Sequence, residues 1–159
     1  MKNTGFTVTD DLWATRGQRF LNCLLDLLIV HIILASIGTT VIIIGDVTNN
    51  YELANWIEST TTFEKLLFWI LILFFYYFLT ETYFSRTFAK YFTQTIVVTK
   101  NGSRPKIHLI FIRTLSRFIP LEAITFLWGN FRGLHDLFSD TYVVRKHEFN
   151  HKKGAILFP

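Results

Sequence analysis

Cysteine, proline and glycine are scarce in this sequence, which contains one, three and eight of them among its 159 residues. The one cysteine, Cys23, excludes a disulfide within the chain and a zinc site made of several thiolates. Glycines are too sparse to form a phosphate-binding loop, and none occurs in the stretch SRTFAK. We therefore expect no cofactor.

Patterns of catalytic and metal-binding residues are missing as well. His135 stands beside Asp136, but no second histidine or cysteine lies at the spacing of a metal site. The serines and histidines do not form a nucleophile elbow. We therefore expect neither a metal site nor an enzymatic activity.

Hydrophobic residues are abundant, at 50% of the chain, and 17% of the residues are aromatic. The mean hydropathy of +0.32 is high for a soluble domain of this size. Lipid can cover apolar surface that a small water-soluble protein would have to bury. The composition therefore predicts a single membrane domain over residues 1–159, with the lipid bilayer as its surroundings.

Two apolar segments, 19–44 and 63–83, are predicted to be transmembrane helices. Each exceeds the ~20 residues that a helix needs to cross ~30 Å of hydrocarbon. The loop between them has no Lys or Arg, whereas basic residues flank the two segments on their other sides. The positive-inside rule then predicts a multi-pass protein with its N-terminus and C-terminus in the cytoplasm.

A third segment, 107–130, is predicted to be bent. It is long enough to span a membrane, but Arg113, Arg117 and Pro120 disfavour a straight crossing. Two helical pieces that bend at Pro120 and re-enter the membrane fit these residues, and a straight third span is the alternative.

Segments 94–99 and 141–145 are rich in β-branched residues and predict two strands. Open strands must lie in water or at the interface, and their pairing requires the same side of the membrane. The tail, 146–159, is predicted to be a basic and poorly ordered end. The expected fold class is an all-α membrane protein with two transmembrane helices, a Pro-bent third segment and a small cytoplasmic β-strand pair.

A polar stripe runs along the first predicted helix. Arg19, Asn22 and Asp26 are three and then four residues apart, so they share one helix face. A charge at the depth of Asp26 costs ~2.5–3.5 kcal/mol or more on insertion scales, so this face must contact protein or water. Glu81, near the cytoplasmic end of the second helix, is expected at a similar depth.

Basic residues of the third segment are expected to face these acids. Arg113 and Arg117 lie about one helical turn apart and present two guanidinium groups from one face. Glu122, His135 and Asp136 complete the candidates. We predict a polar cluster in the cytoplasmic half of the bilayer, made of Arg19, Asn22, Asp26, Glu81, Arg113, Arg117 and Asp136.

Two interpretations of this cluster remain open. Buried acid–arginine pairs can simply hold helices in register. Alternatively, Asp26 exchanges a proton for a monovalent cation, and the arginines set its proton affinity. Because one subunit has few helices to enclose a pathway, transport predicts a homo-oligomer. The rival is a scaffold or accessory protein that binds a membrane protein partner. The basic residues between 86 and 106 indicate anionic lipid rather than nucleic acid.

Four motifs stand in a fixed order along the chain. They are RFLNCLLD at 19–26, SRTFAKYFTQTIVVTKNGSRP at 85–105, RTLSR at 113–117 and LHDLFSDTYVVR at 134–145. Together they resemble the RDD family of small bacterial membrane proteins, which is named for one arginine and two aspartates. The resemblance covers about residues 16–145, and Arg19, Asp26 and Asp136 match the three family residues. It implies a multi-spanning inner-membrane protein with a transport role, since some members resemble Na⁺(Li⁺, K⁺)/H⁺ antiporters.

The linker departs from the family pattern at its glycines. The family usually reads G-x-T-x-G-K, whereas this chain has Ser85 and Ala89 at the two glycine positions, with Thr87 and Lys90 retained. Asp140 likewise replaces the glycine that commonly precedes T-x-V-V. These departures concern close backbone packing at the linker more than the fold.

Overall fold

The computed structural model describes residues 6–119 and 133–157. Within this part the chain is mostly helical, with a two-stranded antiparallel sheet. The elements are a 3₁₀ helix at Asp10–Leu12, α1 at Arg16–Thr48, α2 at Glu52–Ser59, α3 at Thr62–Phe84, α4 at Phe88–Phe92, β1 at Thr95–Thr99, α5 at Ile107–Ser116, α6 at Leu134–Phe138, β2 at Thr141–Arg145 and α7 at Lys146–Leu157.

The two longest helices, α1 and α3, contain the predicted transmembrane segments. Both begin at capping boxes, in which the Thr15 and Thr61 side chains bind backbone N–H groups of Gln18 and Glu64. Their most apolar windows have mean hydropathies of 2.6 and 1.7, and only 6% and 17% of those windows are buried. By length and composition, both helices can cross a membrane.

The two strands pair antiparallel, with Thr95 opposite Arg145 at one end and Thr99 opposite Thr141 at the other. The predicted strand 94–99 begins one residue later in the structure, because Gln94 has a positive φ of 53° that breaks the extended backbone. Trp13 adds an isolated bridge to Val144, so the segment before α1 lies along this sheet. The sheet covers a small core made of Phe6, Val8, Leu12, Val98, Tyr142, Val144 and Phe149.

The prediction of a poorly ordered tail was wrong, because residues 146–157 form α7. Phe149 on this helix is buried and packs edge-on against Phe6, with 5.5 Å between ring centroids. Lys152 also bonds to the Asp11 carboxylate at 3.0 Å. Contacts with the N-terminal segment therefore stabilise a helix whose own sequence does not predict it.

In the third predicted segment, the structure describes α5 and the turn that follows it to residue 119. The predicted bend at Pro120, the remainder of the segment to 130 and Glu122 lie outside the described residues. α5 packs against both α3 and α6, which brings its arginines towards α1.

Candidate functional site: a buried charged cluster

The polar stripe of α1 faces the protein interior. Arg19, Asn22 and Asp26 are all buried, and Asp26 is only 2% exposed. Their neighbours Phe20 and Leu24 point outward. The spacing of three and four residues therefore separates a polar inner face from an apolar outer face.

A continuous set of ion pairs connects α1, α3, α5 and α6. Asp136 of α6 pairs with Arg19 of α1 and with Arg113 of α5. The Nε of Arg113 also donates to Glu81 of α3, at 2.9 Å between Nε and Oε2. The other oxygen of Glu81, Oε1, accepts from Arg117 Nη2 at 2.7 Å and pairs with Lys90. Two carboxylates thus hold four basic side chains.

The electrostatic environment of Asp136 keeps it charged. Burial by itself would raise its pKa, but the Arg113 and Arg19 guanidinium groups outweigh burial and hold the pKa well below its ordinary value. Glu81 likewise outweighs burial at Arg117 and raises the pKa of that guanidinium. Both groups therefore remain ionised at any physiological pH.

Two other groups in the cluster have lowered pKa values. Burial lowers the pKa of Lys90 to about 8, although Glu81 acts in the opposite direction. Burial also lowers the pKa of His135 well below its ordinary value, so this imidazole is neutral at pH 7. Lys90 thus titrates closer to neutral pH than an ordinary lysine does.

Asp26 has a different environment from the other two carboxylates. Its Oδ1 accepts hydrogen bonds from the Tyr76 hydroxyl at 2.6 Å and from the Ala89 backbone N–H at 3.3 Å. Its Oδ2 accepts from the Thr87 hydroxyl at 2.8 Å. Among residues 6–119 and 133–157, no basic group lies within 4.0 Å of it in an ion pair. All three donors to Asp26 are neutral.

Asn22 connects α1 to the sheet rather than to the ion pairs. Its Nδ2 donates to Thr95 Oγ1 at 3.2 Å, and its Oδ1 accepts from Thr93 Oγ1 at 2.5 Å. Thr93 and Thr95 flank the start of β1. Asn22 therefore positions the strand pair relative to α1.

The structure brings the seven predicted residues into one region, and it adds three that the sequence reasoning missed. Lys90 belongs to the linker motif and to the basic residues that follow the second helix, but it was not predicted to join the cluster, yet it is buried and pairs with Glu81. Thr87 and Tyr76 hold Asp26. The linker motif contains Thr87 and Lys90, so it carried a signal for both. Tyr76 lies in an aromatic-rich apolar segment that gives no such signal.

A cavity of about 370 Å³ lies beside this cluster. Its lining combines charged side chains, among them Asp26, Lys90 and three arginines, with a larger set of apolar side chains. Among the described residues it is lined by Arg19, Asn22, Cys23, Asp26, Leu27, Leu66, Trp69, Ile70, Leu73, Tyr77, Lys90, Arg113, Arg117, Phe118, His135 and Val143. The charged cluster thus borders a space of ligand size.

The model of the RDD family matches residues 13–141, which is most of the chain. The chain belongs to the RDD family. Searches of curated proteins and of solved structures found no significant match. Together with the two helices that can cross a membrane, membership of the RDD family indicates a membrane protein.

The three residues that resemble the RDD signature have separate structural roles here. Arg19 and Asp136 form an ion pair, whereas Asp26 is held by neutral donors. Two of the three glycine departures fall where the backbone favours glycine: Ser85 and Asp140 have φ values of 56° and 45°, in the left-handed region. This RDD protein therefore tolerates non-glycine residues where the backbone favours glycine.

Proposed function

We propose that this RDD protein is an inner-membrane transport protein, or a subunit of one, in which Asp26 exchanges a proton for a monovalent cation. The supporting observation is that Asp26 borders the cavity and has only neutral hydrogen-bond donors among the described residues. Glu81 and Asp136, in contrast, are each ion-paired to two or more basic groups. Asp26 is thus the carboxylate whose charge is not already neutralised by a direct partner.

The atoms around Asp26 suit a small, hard cation. Carboxylate, phenol and hydroxyl oxygens are the ligands that such ions prefer. Tyr76 and Thr87 donate to Asp26 through rotatable hydroxyl groups, which can turn their lone pairs towards a cation instead. A proton on Asp26 and a cation beside it are then alternatives, which is the requirement for exchange.

In this role both chain ends lie in the cytoplasm. The connection between α1 and α3, including α2, has Glu52 and Glu58 but no Lys or Arg, whereas basic residues follow α3. The pair of long helices leaves wide apolar surface exposed, which in a homo-oligomer would enclose the pathway. In this role the protein is not an enzyme.

The test is proton flux in liposomes that contain the purified protein and a trapped pH dye. Addition of Na⁺, Li⁺ or K⁺ is expected to change the internal pH for the wild type, and Asp26→Asn is expected to abolish this response. The matched control is Asp46→Asn, because Asp46 is an exposed carboxylate near the other end of α1. No response from folded wild-type protein with any of the three ions would contradict the proposal.

A second candidate function is that of a scaffold or accessory protein for a membrane protein partner. The ion pairs that join α1, α3, α5 and α6 favour it, because such a network holds helices in a fixed arrangement without any transported ion. This role predicts a stoichiometric complex that forms equally well with Asp26→Asn, and no ion flux in liposomes.

A further inference from the structure

Several guanidinium nitrogens beside the cavity have no hydrogen-bond partner among the described residues. They are Nε and Nη2 of Arg19, Nη2 of Arg113 and Nη1 of Arg117. Arg19 and Arg113 are themselves at least nine-tenths buried, and all three arginines line the cavity. An N–H group that is buried without an acceptor is costly, so this set of donors points to an anionic ligand.

The balance of charge in the cluster also favours an anion. Among residues 6–119 and 133–157, the cluster has four basic side chains that are at most 12% exposed, and three carboxylates. The basic groups are Arg19, Lys90, Arg113 and Arg117, and the acidic ones are Asp26, Glu81 and Asp136. An uncompensated buried positive charge is unfavourable, and one bound oxyanion would compensate it. Guanidinium groups bind phosphate through paired N–H donors, which suits the remaining nitrogens.

Apolar side chains of α3 form much of the remaining cavity lining, and we call this face the α3 groove. Leu66, Trp69, Ile70 and Leu73 are spaced i, i+3, i+4 and i+7, so they share one helix face, and Leu27 of α1 adds to the lining. The groove extends from Leu66 to Tyr77, and Tyr77 lies beside the arginines. At a helical rise of 1.5 Å per residue, its length is ~16 Å. Leu66 and Leu27 are 51% and 37% exposed, so the groove opens to the side of the helix pair.

We propose that this groove binds one anionic phospholipid. The head-group phosphate lies against Arg19, Arg113 and Arg117, and one acyl chain extends along the α3 groove. A free phosphate would use the arginines but not the groove, and a hydrocarbon would use the groove but not the arginines. Guanidinium donors without partners lie next to an apolar groove, so the ligand that fits both is an amphiphile with a phosphate and a hydrocarbon chain.

This lipid site does not depend on ion exchange. Asp26 also borders the cavity, but both of its oxygens already accept hydrogen bonds from Tyr76, Thr87 and the Ala89 backbone. The phosphate is assigned to the arginines and the acyl chain to α3. Lipid binding and ion exchange therefore use different residues and can be tested separately.

The test is native mass spectrometry of the full chain in detergent, titrated with phosphatidylglycerol, phosphatidylcholine or inorganic phosphate. Two variants probe the two halves of the site. Arg117→Lys keeps a positive charge for Glu81 but removes the Nη1 donor that has no partner among the described residues. Ile70→Trp fills the groove. The matched control for the second is Leu71→Trp, because Leu71 is exposed on the same helix and does not line the cavity. Thermal unfolding of each variant verifies that it is folded.

We expect one phosphatidylglycerol molecule to bind the wild type at least about tenfold more tightly than phosphatidylcholine, whose choline cation the arginines repel, or inorganic phosphate, which has no acyl chain for the groove. Arg117→Lys and Ile70→Trp should each weaken this binding about tenfold, and Leu71→Trp should leave it unchanged. Phosphate that binds as tightly as phosphatidylglycerol would overturn the lipid assignment. Phosphatidylglycerol binding that is unsaturable, or unchanged in both variants, would overturn the site itself.

Discussion

Arg19 and Asp136 form a buried ion pair although 117 positions of the chain separate them. Asp136 also pairs with Arg113, so a single carboxylate joins α1, α5 and α6. Glu81 extends the connection to α3 through the same Arg113. The most distant parts of the chain are thus held together by charges that are shielded from solvent.

Removal of the Asp136 charge should be strongly destabilising. Asp136→Asn leaves Arg19 and Arg113 buried without a counter-charge, and the loss of one partner of a buried pair costs about 3–5 kcal/mol. Denaturant unfolding of the purified protein in detergent measures the change. Asp11→Asn is the control, because the Asp11 carboxylate is 62% exposed and a solvent-exposed pair such as the one with Lys152 contributes little to stability. Equal losses in the two variants would show that the buried network does not hold the helices together.

Lys90 should make the free energy of unfolding depend on pH between about 8 and 10.5. Its pKa is lowered by burial from an ordinary value of 10.5 to about 8 in the folded protein. Between these two values the unfolded chain binds more protons than the folded one, so the free energy of unfolding rises with pH. The rise is at most about 1.4 kcal/mol per pH unit for one group.

Unfolding of the wild type and Lys90→Met, measured from pH 7.5 to 10.5, tests this dependence. The difference in the free energy of unfolding between the two proteins should grow in favour of the wild type as pH increases. Lys65→Met, at an exposed lysine in the first turn of α3, should follow the wild type in parallel. A pH dependence of Lys90→Met that equals that of the wild type would contradict the assignment.

Ser85→Gly should stabilise the protein. Ser85 ends α3 with a φ of 56°, a left-handed conformation that costs a non-glycine residue roughly 1–2 kcal/mol. Its backbone N–H donates to the Glu81 carbonyl and its carbonyl accepts from the Val97 N–H, both at 2.9 Å, and glycine retains these bonds. A gain of about 1 kcal/mol is expected in thermal unfolding. Ser36→Gly, inside α1, should instead lose about 0.5 kcal/mol. A loss at both positions would show that Ser85 is not strained.

Gly102→Ala should destabilise the small core beneath the sheet, which contains Phe6 and Phe149. Gly102 has a φ of 66°, and a Cβ there would lie 2.7 Å from the Phe6 ring and 3.1 Å from the Phe149 ring. The substitution therefore strains the backbone and displaces two core aromatic rings, with an expected loss of about 2–3 kcal/mol. Gly38→Ala is the matched control, since its added Cβ would meet nothing within 4 Å and alanine favours a helix. A thermal unfolding midpoint that falls equally in both variants would contradict this explanation.

The local pattern of hydropathy accounts for the parts of this structure that were predicted well. The two long helices and the face of Arg19, Asn22 and Asp26 follow from runs of apolar residues and from helical spacing. The two strands β1 and β2 follow from two short β-branched segments near turn residues, whereas their antiparallel orientation was not predicted. These features depend on neighbours within a few positions, and a sequence displays such neighbours directly.

The sequence by itself therefore determined the membrane character, the polar face of the first long helix and the family resemblance. Only the tertiary structure decided which basic group pairs with which carboxylate. Asp136 forms an ion pair with Arg19 and Glu81 forms one with Lys90, whereas Asp26 accepts hydrogen bonds from neutral hydroxyl groups. It also converted the expected loose tail into a helix, through the contact between Phe149 and Phe6. The physical reason is that hydropathy and helix spacing act locally, whereas ion-pair partners are chosen by packing between segments that lie far apart in the chain.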